Sequence, residues 1–385
     1  MDIPKGMLSS LQELVGSHGV QPVLSRAPGR IEVLGNHTDY NGGVVLAATI
    51  DRFVWALGIL SDEVRIHSID YDDTFSFSPQ DIPKFKVTSW TEYAKGIYWA
   101  LNRRKHNPSG MTAVVKGDVP QGSGLSSSAA FEVALTNLVS ELNSLNLPPK
   151  AAAMIAFEAE RVYCMVSCGV MDQFTSQLGQ PNSLIGINCQ NLQVRHVNIH
   201  DDIKFVVVDS MISRAAGDAL NQRRHECQQA LRILNEAGWN IGTLSDIDSS
   251  RIDDLDDVLE EKLSQRVEHV VRENLRVRKG IEAIQHNDLE EFGSIMFRSH
   301  ISSRNLYEVS HPNLDMLVDM ATRHEGVLGA RMTGAGFGGA ILCMVKSKNV
   351  TNFVSYIQKR YESETGKAAF VLECDIPGGV QLQKM

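Results

Sequence analysis

Four stretches of the chain carry residue types that could do chemistry. The run RAPGRIEVLGNHTDYNGG, residues 26–43, sets Arg30, His37 and Asp39 among turn formers, so a cation, an imidazole and a carboxylate can converge on one ligand. Its HTDYNGG portion is also compatible with a plain hairpin closed by an Asn-Gly turn. Residues 117–130, GDVPQGSGLSSSAA, lead glycines and three hydroxyls straight into a helical pattern. Unpaired amides at a helix N-terminus favour an anion, and glycines let a phosphate approach the backbone. No GK[ST] follows, so the loop is not a Walker A; the alternative is an ordinary turn ending in a Ser N-cap.

The third stretch, EAERVYCMVSCGVMDQF at residues 158–174, sets Asp172 near Met171 and Phe174. A carboxylate in apolar company is a candidate acid or base, the alternative being a capping or ion-paired Asp. The fourth, TGAGFGG at residues 333–339, satisfies GxGxxG with Gly334, Gly336 and Gly339. A dinucleotide fingerprint is excluded because strand-like AILCMV follows instead of a helix. A protein-kinase loop is excluded because neither VAIK, HRD nor DFG follows. What survives is a glycine turn, through Gly334 and Gly336, that brings backbone close to another segment.

Positioning these groups takes two kinds of scaffold. Up to about residue 200, short β-branched runs alternate with helical patterns at 91–102 and 126–145, which predicts an α/β unit. A new buried-strand run, KFVVVDSMI, begins at Lys204 after a polar stretch. Long helical segments then run to about His324, followed by the glycine turn, the strand ILCMV and a last helix, an α+β pattern. The expected units are therefore 1–200 and 201–385, packed together rather than tethered, since no Pro/Gly/Ser-rich linker separates them. The acidic residues of 246–261 read as a solvated helix face; they lack the glycine and spacing of a calcium loop.

A net charge of −9 argues against nucleic acid or an anionic membrane as the main partner, because both are bound through clustered Lys and Arg. The first twenty residues hold no continuous apolar core with a small-residue cleavage site, and no apolar run approaches the roughly 18 residues of a membrane span. The expectation is a cytoplasmic protein. Six cysteines form neither a CxxC pair nor a zinc-finger spacing, so reduced, partly buried thiols are expected.

Taken together and in this order, the segments resemble the galactokinase branch of the GHMP small-molecule kinases. Residues 26–43 are similar to the galactokinase signature, 117–130 to the GHMP ATP loop and 333–339 to the third GHMP motif. SWTEYAKG, CGVMDQF, RVEHVVRENLRV and SHISSRNLYEVSHPNLD add to the likeness. The resemblance implies a two-domain α/β (α+β) GHMP kinase fold, with a ribosomal-protein-S5-domain-2-like N-terminal domain and a ferredoxin-like C-terminal domain. It implies ATP and Mg²⁺ as cofactors and a small-molecule sugar phosphorylated at its anomeric hydroxyl in the cleft between domains. Asp172 would take or orient the hydroxyl proton, and Arg30 would keep that carboxylate ionised. Arg30, Asn36, His37, Asp39, Gly169 and Asp172 would hold the sugar. Gly122, Ser123, Gly124, Leu125, Ser126, Ser127 and Ser128 would wrap the phosphates, with Ser128 and Glu160 on the metal. Trp90 and Tyr93 match adenine-pocket positions, although packing of helix aromatics accounts for either equally well. A monomer is expected by analogy.

Two positions depart from the family pattern. Asn36 stands where galactokinases carry a glutamate that contacts the C6 hydroxyl, and Leu220 stands where they carry a tyrosine near the sugar. The resemblance then implies intact chemistry with an altered sugar preference, toward a C6-modified galactose such as galacturonate or a deoxy sugar. The alternatives are another GHMP kinase, such as a mevalonate, homoserine or N-acetylgalactosamine kinase, and a non-catalytic sugar sensor. HTDYNGG and CGVMDQF favour a sugar kinase over the first two, and sensors lose part of the serine-alanine run that is complete here at 126–130.

Overall fold

The computed structural model describes residues 1–16, 21–82, 89–212 and 216–385. After helix α1 (Met7–Val15), strands β1 (Val23–Leu34) and β2 (Val44–Ser61) form a long antiparallel ribbon. The far edge of β2 is shared. Strand β6 (Ser183–Asn188) pairs with its start, and β5 (Gly110–Gly117) with its end. The sheet continues from β5 through parallel β3 (Val64–Ser68) to β4 (Asp73–Phe77), and from β6 to β7 (Gln193–Asn198). Helices α2 (Trp90–Arg103), α3 (Ser127–Leu142), α4 (Pro149–Glu158) and α5 (Met171–Leu178) belong to this unit, with a π-helical turn at Ala159–Tyr163. The helical patterns expected at 91–102 and 126–145 correspond to α2 and α3.

Strand alternation on β1 decides what faces the site. Ile31 and Val33 point into the apolar core, while Arg30 and Glu32 on the opposite face border a cleft. A register shift between Glu32 and Leu34 then returns Leu34 to the core side.

The second sheet has the antiparallel order β11-β8-β10-β9, from β8 (Ile203–Asp209), β9 (Val327–Met332), β10 (Ala340–Lys346) and β11 (Phe370–Cys374). Helices α6 (Ala216–Glu236), α7 (Glu261–Gln285), α8 (Leu289–Asn305) and α9 (Pro312–Thr322) separate β8 from β9, and α10 (Val350–Thr365) separates β10 from β11. This is the β-α-β-β-α-β order of a ferredoxin-like unit. Both faces of the sheet are buried, so β8 and β10 read as continuous apolar runs. Phe205, Val207, Leu342 and Met344 join the core shared with the first sheet, whereas Val206, Val208, Ile341 and Cys343 join the core behind it. The shared core makes the two units one packed body around the cleft.

Two features were not legible beforehand. The last strand, β12 (Gln381–Lys384), crosses back to pair with β1. We propose the division 1–200 and 201–385 with that one strand returned to the first sheet. The acidic stretch is not a continuous helix face: it forms 3₁₀ turns at Leu244–Asp246 and Ser249–Asp254, and α7 starts only at Glu261. Asp246 accepts from the backbone of Thr243 and Asp248 from that of Ser250, local bonds that compete with helix formation. Among the described residues no helix is long and apolar enough to cross a membrane.

Candidate active site

A cleft of about 690 Å³ lies between the two units. Of the candidate site residues, all but Trp90, Tyr93 and Gly336 border it. At its centre Arg30 forks onto Asp172, with Nε donating to Oδ1 at 2.8 Å and Nη2 to Oδ2 at 2.6 Å. Nη1 of Arg30 donates to the Gly124 carbonyl, and the backbone amide of Arg30 donates to the Leu125 carbonyl at 3.0 Å. The guanidinium thus joins β1, the glycine loop and α5. Phe174 turns into a separate apolar cluster and Met171 joins that cluster while also bordering the cleft, so the partners of Asp172 itself are polar, the Arg30 guanidinium and the Ser126 hydroxyl.

Ser126 corrects a second expectation. It stands at the N-cap of α3 with φ 59°, yet its side chain makes no cap; the hydroxyl donates to Asp172 Oδ2. No side chain caps the start of α3, the loop glycines Gly122 and Gly124 line the cleft, and a Cβ at Gly122 would meet nothing within 4 Å. That vacant loop wall suits an anion at a helix N-terminus.

Below the loop, Ser128 Oγ donates to Glu160 Oε1 at 3.0 Å, and Gln173 Nε2 donates to Glu160 Oε2 at 2.6 Å and to Glu132 Oε2 at 2.9 Å. Glu160 sits in the π-helical turn, an irregularity that re-aims side chains and recurs at functional sites. Burial pushes its carboxyl up, with the charge of Asp172 adding to the effect; Glu132 is pushed up further, by burial and then by Glu160. A hydroxyl and a buried carboxylate 3.0 Å apart are hard oxygen donors of the kind Mg²⁺ takes.

The opposite end is built from the loop that joins β1 to β2. HTDYNGG does lie in the connection of a hairpin, but the connection is a nine-residue loop with a 3₁₀ turn at Asp39–Asn41 and not a tight Asn-Gly turn. Asn36 is 1% exposed and fully engaged: Nδ2 donates to Glu32 Oε1 at 3.0 Å and to the Gly334 carbonyl at 2.9 Å, and Oδ1 accepts from Ser303 at 2.9 Å. Its backbone amide and that of Gly35 donate to Glu273 of α7, which Ser299 and Arg276 also hold. Arg276, Arg331 and these donors keep the Glu273 carboxyl well below its usual range despite burial.

His37 is neutral and its tautomer is determined by its partners. Nε2 must donate to the Ala335 carbonyl at 3.2 Å, so Nδ1 accepts from the Tyr40 hydroxyl at 2.8 Å. The Tyr40 oxygen then accepts from Tyr307 at 2.9 Å, and Tyr307 from the Cys227 thiol at 3.1 Å. Burial, with His269 nearby, lowers the His37 pKa to about 3. Asp39 moves the other way, raised to about 7 by burial and then by the charges of Glu32 and Asp172. Leu220, half-buried near the start of α6, adds an apolar side chain to the cleft lining.

The glycine turn does bring backbone close to another segment. Gly336 has φ 83°, a Cβ there would lie 2.1 Å from the Val309 carbonyl oxygen, and Gly334 presents its carbonyl to Asn36. Trp90 packs among Tyr71, Phe75 and Phe131 at the start of α2. Tyr93 is half-buried, with its hydroxyl pushed up by burial and by Glu160 and Glu132. Sequence reasoning missed Glu32, Glu132, Gln173, Glu273, Ser303, Tyr307 and Arg331. Gln173, Glu273, Ser303 and Tyr307 lie in stretches whose family likeness was legible, and Glu32 stands two residues from Arg30 on a strand, whereas Glu132 and Arg331 carried no signal.

Comparison with known proteins shows the family. Residues 12–58 match the galactokinase galactose-binding signature, 92–180 the N-terminal domain of GHMP kinases and 281–363 their C-terminal domain. A two-domain GHMP kinase fold is thus the class of protein. Galactokinase of Roseiflexus sp. is 38% identical, over 94% of both chains, and that of Chloroflexus aurantiacus is 38% identical, over 93% of this chain and 92% of the relative. The crystal structure of Lactococcus lactis galactokinase complexed with galactose superimposes with a TM-score of 0.93 at 30% identity, covering 97% of this chain and 98% of that one. The chain belongs to the galactokinase family and is an ATP-dependent phosphotransferase of the sugar-kinase kind.

Proposed function

We propose that the protein transfers the γ-phosphoryl group of ATP to the anomeric hydroxyl of a galactose-type sugar. The observation that carries this reading is the Asp172 carboxylate, held by the Arg30 fork and the Ser126 hydroxyl where the glycine loop meets the sugar-side loop. Asp172 accepts the proton of the anomeric hydroxyl or orients it. The sugar oxygen forms its bond to Pγ, the bond from Pγ to the β-phosphate bridging oxygen breaks, and ADP leaves. Arg30, fixed at three points, offsets the charge that develops as transfer proceeds. Gly122 to Ser128 wrap the phosphates, and Ser128 and Glu160 would hold Mg²⁺. When bound, that ion would shield phosphate charge as a Lewis acid.

The choice of sugar is made at the far end of the cleft. Leu220 offers only apolar contact and Asn36 brings no charge, which leaves galactose itself and a C6-modified galactose such as galacturonate as the two candidates. We further propose that the enzyme acts in the cytoplasm as a monomer, a reading supported by the family resemblance.

The test is ADP release with Mg-ATP across galactose, galacturonate, fucose, arabinose, glucose and N-acetylgalactosamine, with Asp172→Asn as control. Turnover on a galactose-type sugar that drops to a small measurable residue in the variant is expected. Silence on every sugar overturns the reading.

A further inference from the structure

We propose that Glu32 reads the end of the sugar remote from the transferred phosphate, and that its carboxylate makes the site select a neutral hydroxyl there over an acid. The inference rests on the sugar-kinase reading above and decides between its two candidate substrates.

The placement follows from the strand. Arg30, Ile31 and Glu32 pair in unbroken register with Thr49, Ala48 and Ala47, so Arg30 and Glu32 share a face and are offset by roughly 6–7 Å of strand rise. Arg30 marks the reacting end of the cleft through Asp172. A pyranose whose anomeric hydroxyl meets Asp172 therefore extends along β1 toward Glu32.

Glu32 is 3% exposed and borders the cleft. Its Oε1 accepts from Asn36 Nδ2 at 3.0 Å and from Arg331 Nη2 at 3.0 Å. Among the described residues nothing donates to Oε2, and Oε2 is not among the buried side-chain atoms left without a partner. It is an acceptor turned to the cleft. Asn36 has no proton left for a ligand, because both amide protons are bonded within the protein, and its side-chain oxygen already accepts from Ser303. Beside Asp39, the acceptor offered at this end is thus the Glu32 oxygen, and Asn36 is the residue that positions it.

The charges nearby specify what it accepts. Arg331, 0% exposed, is bonded to Oε1 and to the Glu32 backbone carbonyl, so it neutralises Glu32 from behind and cannot reach a ligand in front. A hydroxyl donating to Oε2 completes the carboxylate's hydrogen bonding. A ligand carboxylate would instead bring a second anion against Glu32, with Asp39 also close. Galactose fits and galacturonate is repelled.

The test compares galactose and galacturonate kinetics in wild type, Glu32→Gln and Glu32→Asp, with ATP KM and melting temperature as folding controls. Glu32→Gln should raise the galactose KM about tenfold or more with a smaller change in kcat, and should raise the galacturonate-to-galactose ratio of kcat/KM by at least about tenfold. A residue that only braced Arg331 would leave that ratio unmoved. Glu32→Asp keeps the charge but withdraws it by one carbon, so the galactose KM should rise while galacturonate stays excluded; this variant decides if Glu32→Gln fails to fold. An unchanged galactose KM in the folded variants, an unmoved ratio in Glu32→Gln, or a wild type that prefers galacturonate overturns the role of Glu32 alone. A wild type silent on every sugar overturns the parent reading and this one with it.

Discussion

Gly169 lies so close to Asp39 that a Cβ on residue 169 would fall 2.0 Å from Asp39 Oδ2. The contact joins the segment leading into α5 to the sugar-side loop, and only a hydrogen fits between them. Gly169→Ala must push the Asp39 carboxylate aside, and a shift of about 1 Å in a substrate-positioning group can cost about 100-fold in rate. We expect the sugar KM to rise at least about tenfold with the ATP KM unchanged, because the glycine loop is not touched. Steady-state kinetics with each substrate varied in turn checks this.

Asp39 should give the enzyme a pH dependence near neutrality. Its pKa is raised to about 7, first by burial and then by Glu32 and Asp172. Below that pH it holds a proton and cannot act as a full acceptor; above it the carboxylate accepts from sugar hydroxyls. The expected profile of kcat/KM for the sugar rises with pH up to about 7 and then levels. Asp39→Asn should lower the plateau and remove this inflection. The sign for stability is opposite: the folded state keeps a proton that the unfolded chain releases above 3.8, so the stability contribution of this group declines from pH 3.8 to about 7.

The sequence made the site legible in proportion to how local its parts are. The glycine loop, the hairpin loop and Asp172 lie in contiguous stretches whose glycines and hydroxyls have few other uses, and the cleft gathers them. Glu32 was hidden by register: a glutamate among apolar residues reveals its face only once the pairing of β1 is known. Glu273 and Arg331 were hidden by distance, since each acts on the residue 32–36 region from more than two hundred positions away. Ser126 was legible as a hydroxyl of the glycine loop, and only the left-handed backbone with the proximity of Asp172 reveals its bond to that carboxylate. The return of β12 to the first sheet had no local signal, because its four residues are all exposed and carry no apolar face.

His269 should make the protein sensitive to acid. Nε2 donates to the Asn36 carbonyl at 3.0 Å and Nδ1 accepts from Ser302 at 2.9 Å, so the ring is neutral where it is buried. Burial lowers its pKa from 6.5 to about 4. The unfolded chain takes up a proton below pH 6.5 while the folded chain does not until about pH 4, so this contribution is present above 6.5 and lost as pH falls through that window. The loss is about 1.4 kcal/mol per pH unit. His269→Gln has no such proton to take up. Its melting temperature should lie below wild type at pH 7, and the gap should narrow steadily toward pH 4.

Arg30 should prove irreplaceable by lysine. One guanidinium makes two bonds to Asp172 and a third to the Gly124 carbonyl, a planar fork that a single ammonium cannot reproduce. Lysine would keep the positive charge but leave one carboxylate oxygen or the loop carbonyl without its donor. Arg30→Lys should therefore lower kcat by about 100-fold, near the cost of removing one preorganised donor from a reacting centre, with the sugar KM changed far less. Whether the arginine acts through Asp172 or on the transferred group is read from a double variant. If it works only by holding the carboxylate, Arg30→Lys adds nothing to Asp172→Asn. If it also stabilises charge on the phosphoryl group, the double variant falls further, because two neighbouring residues with one shared role do not add and two with separate roles do. The cleft geometry favours the second result: Nη1 is directed to the glycine loop, where the phosphates would lie, and not to the carboxylate.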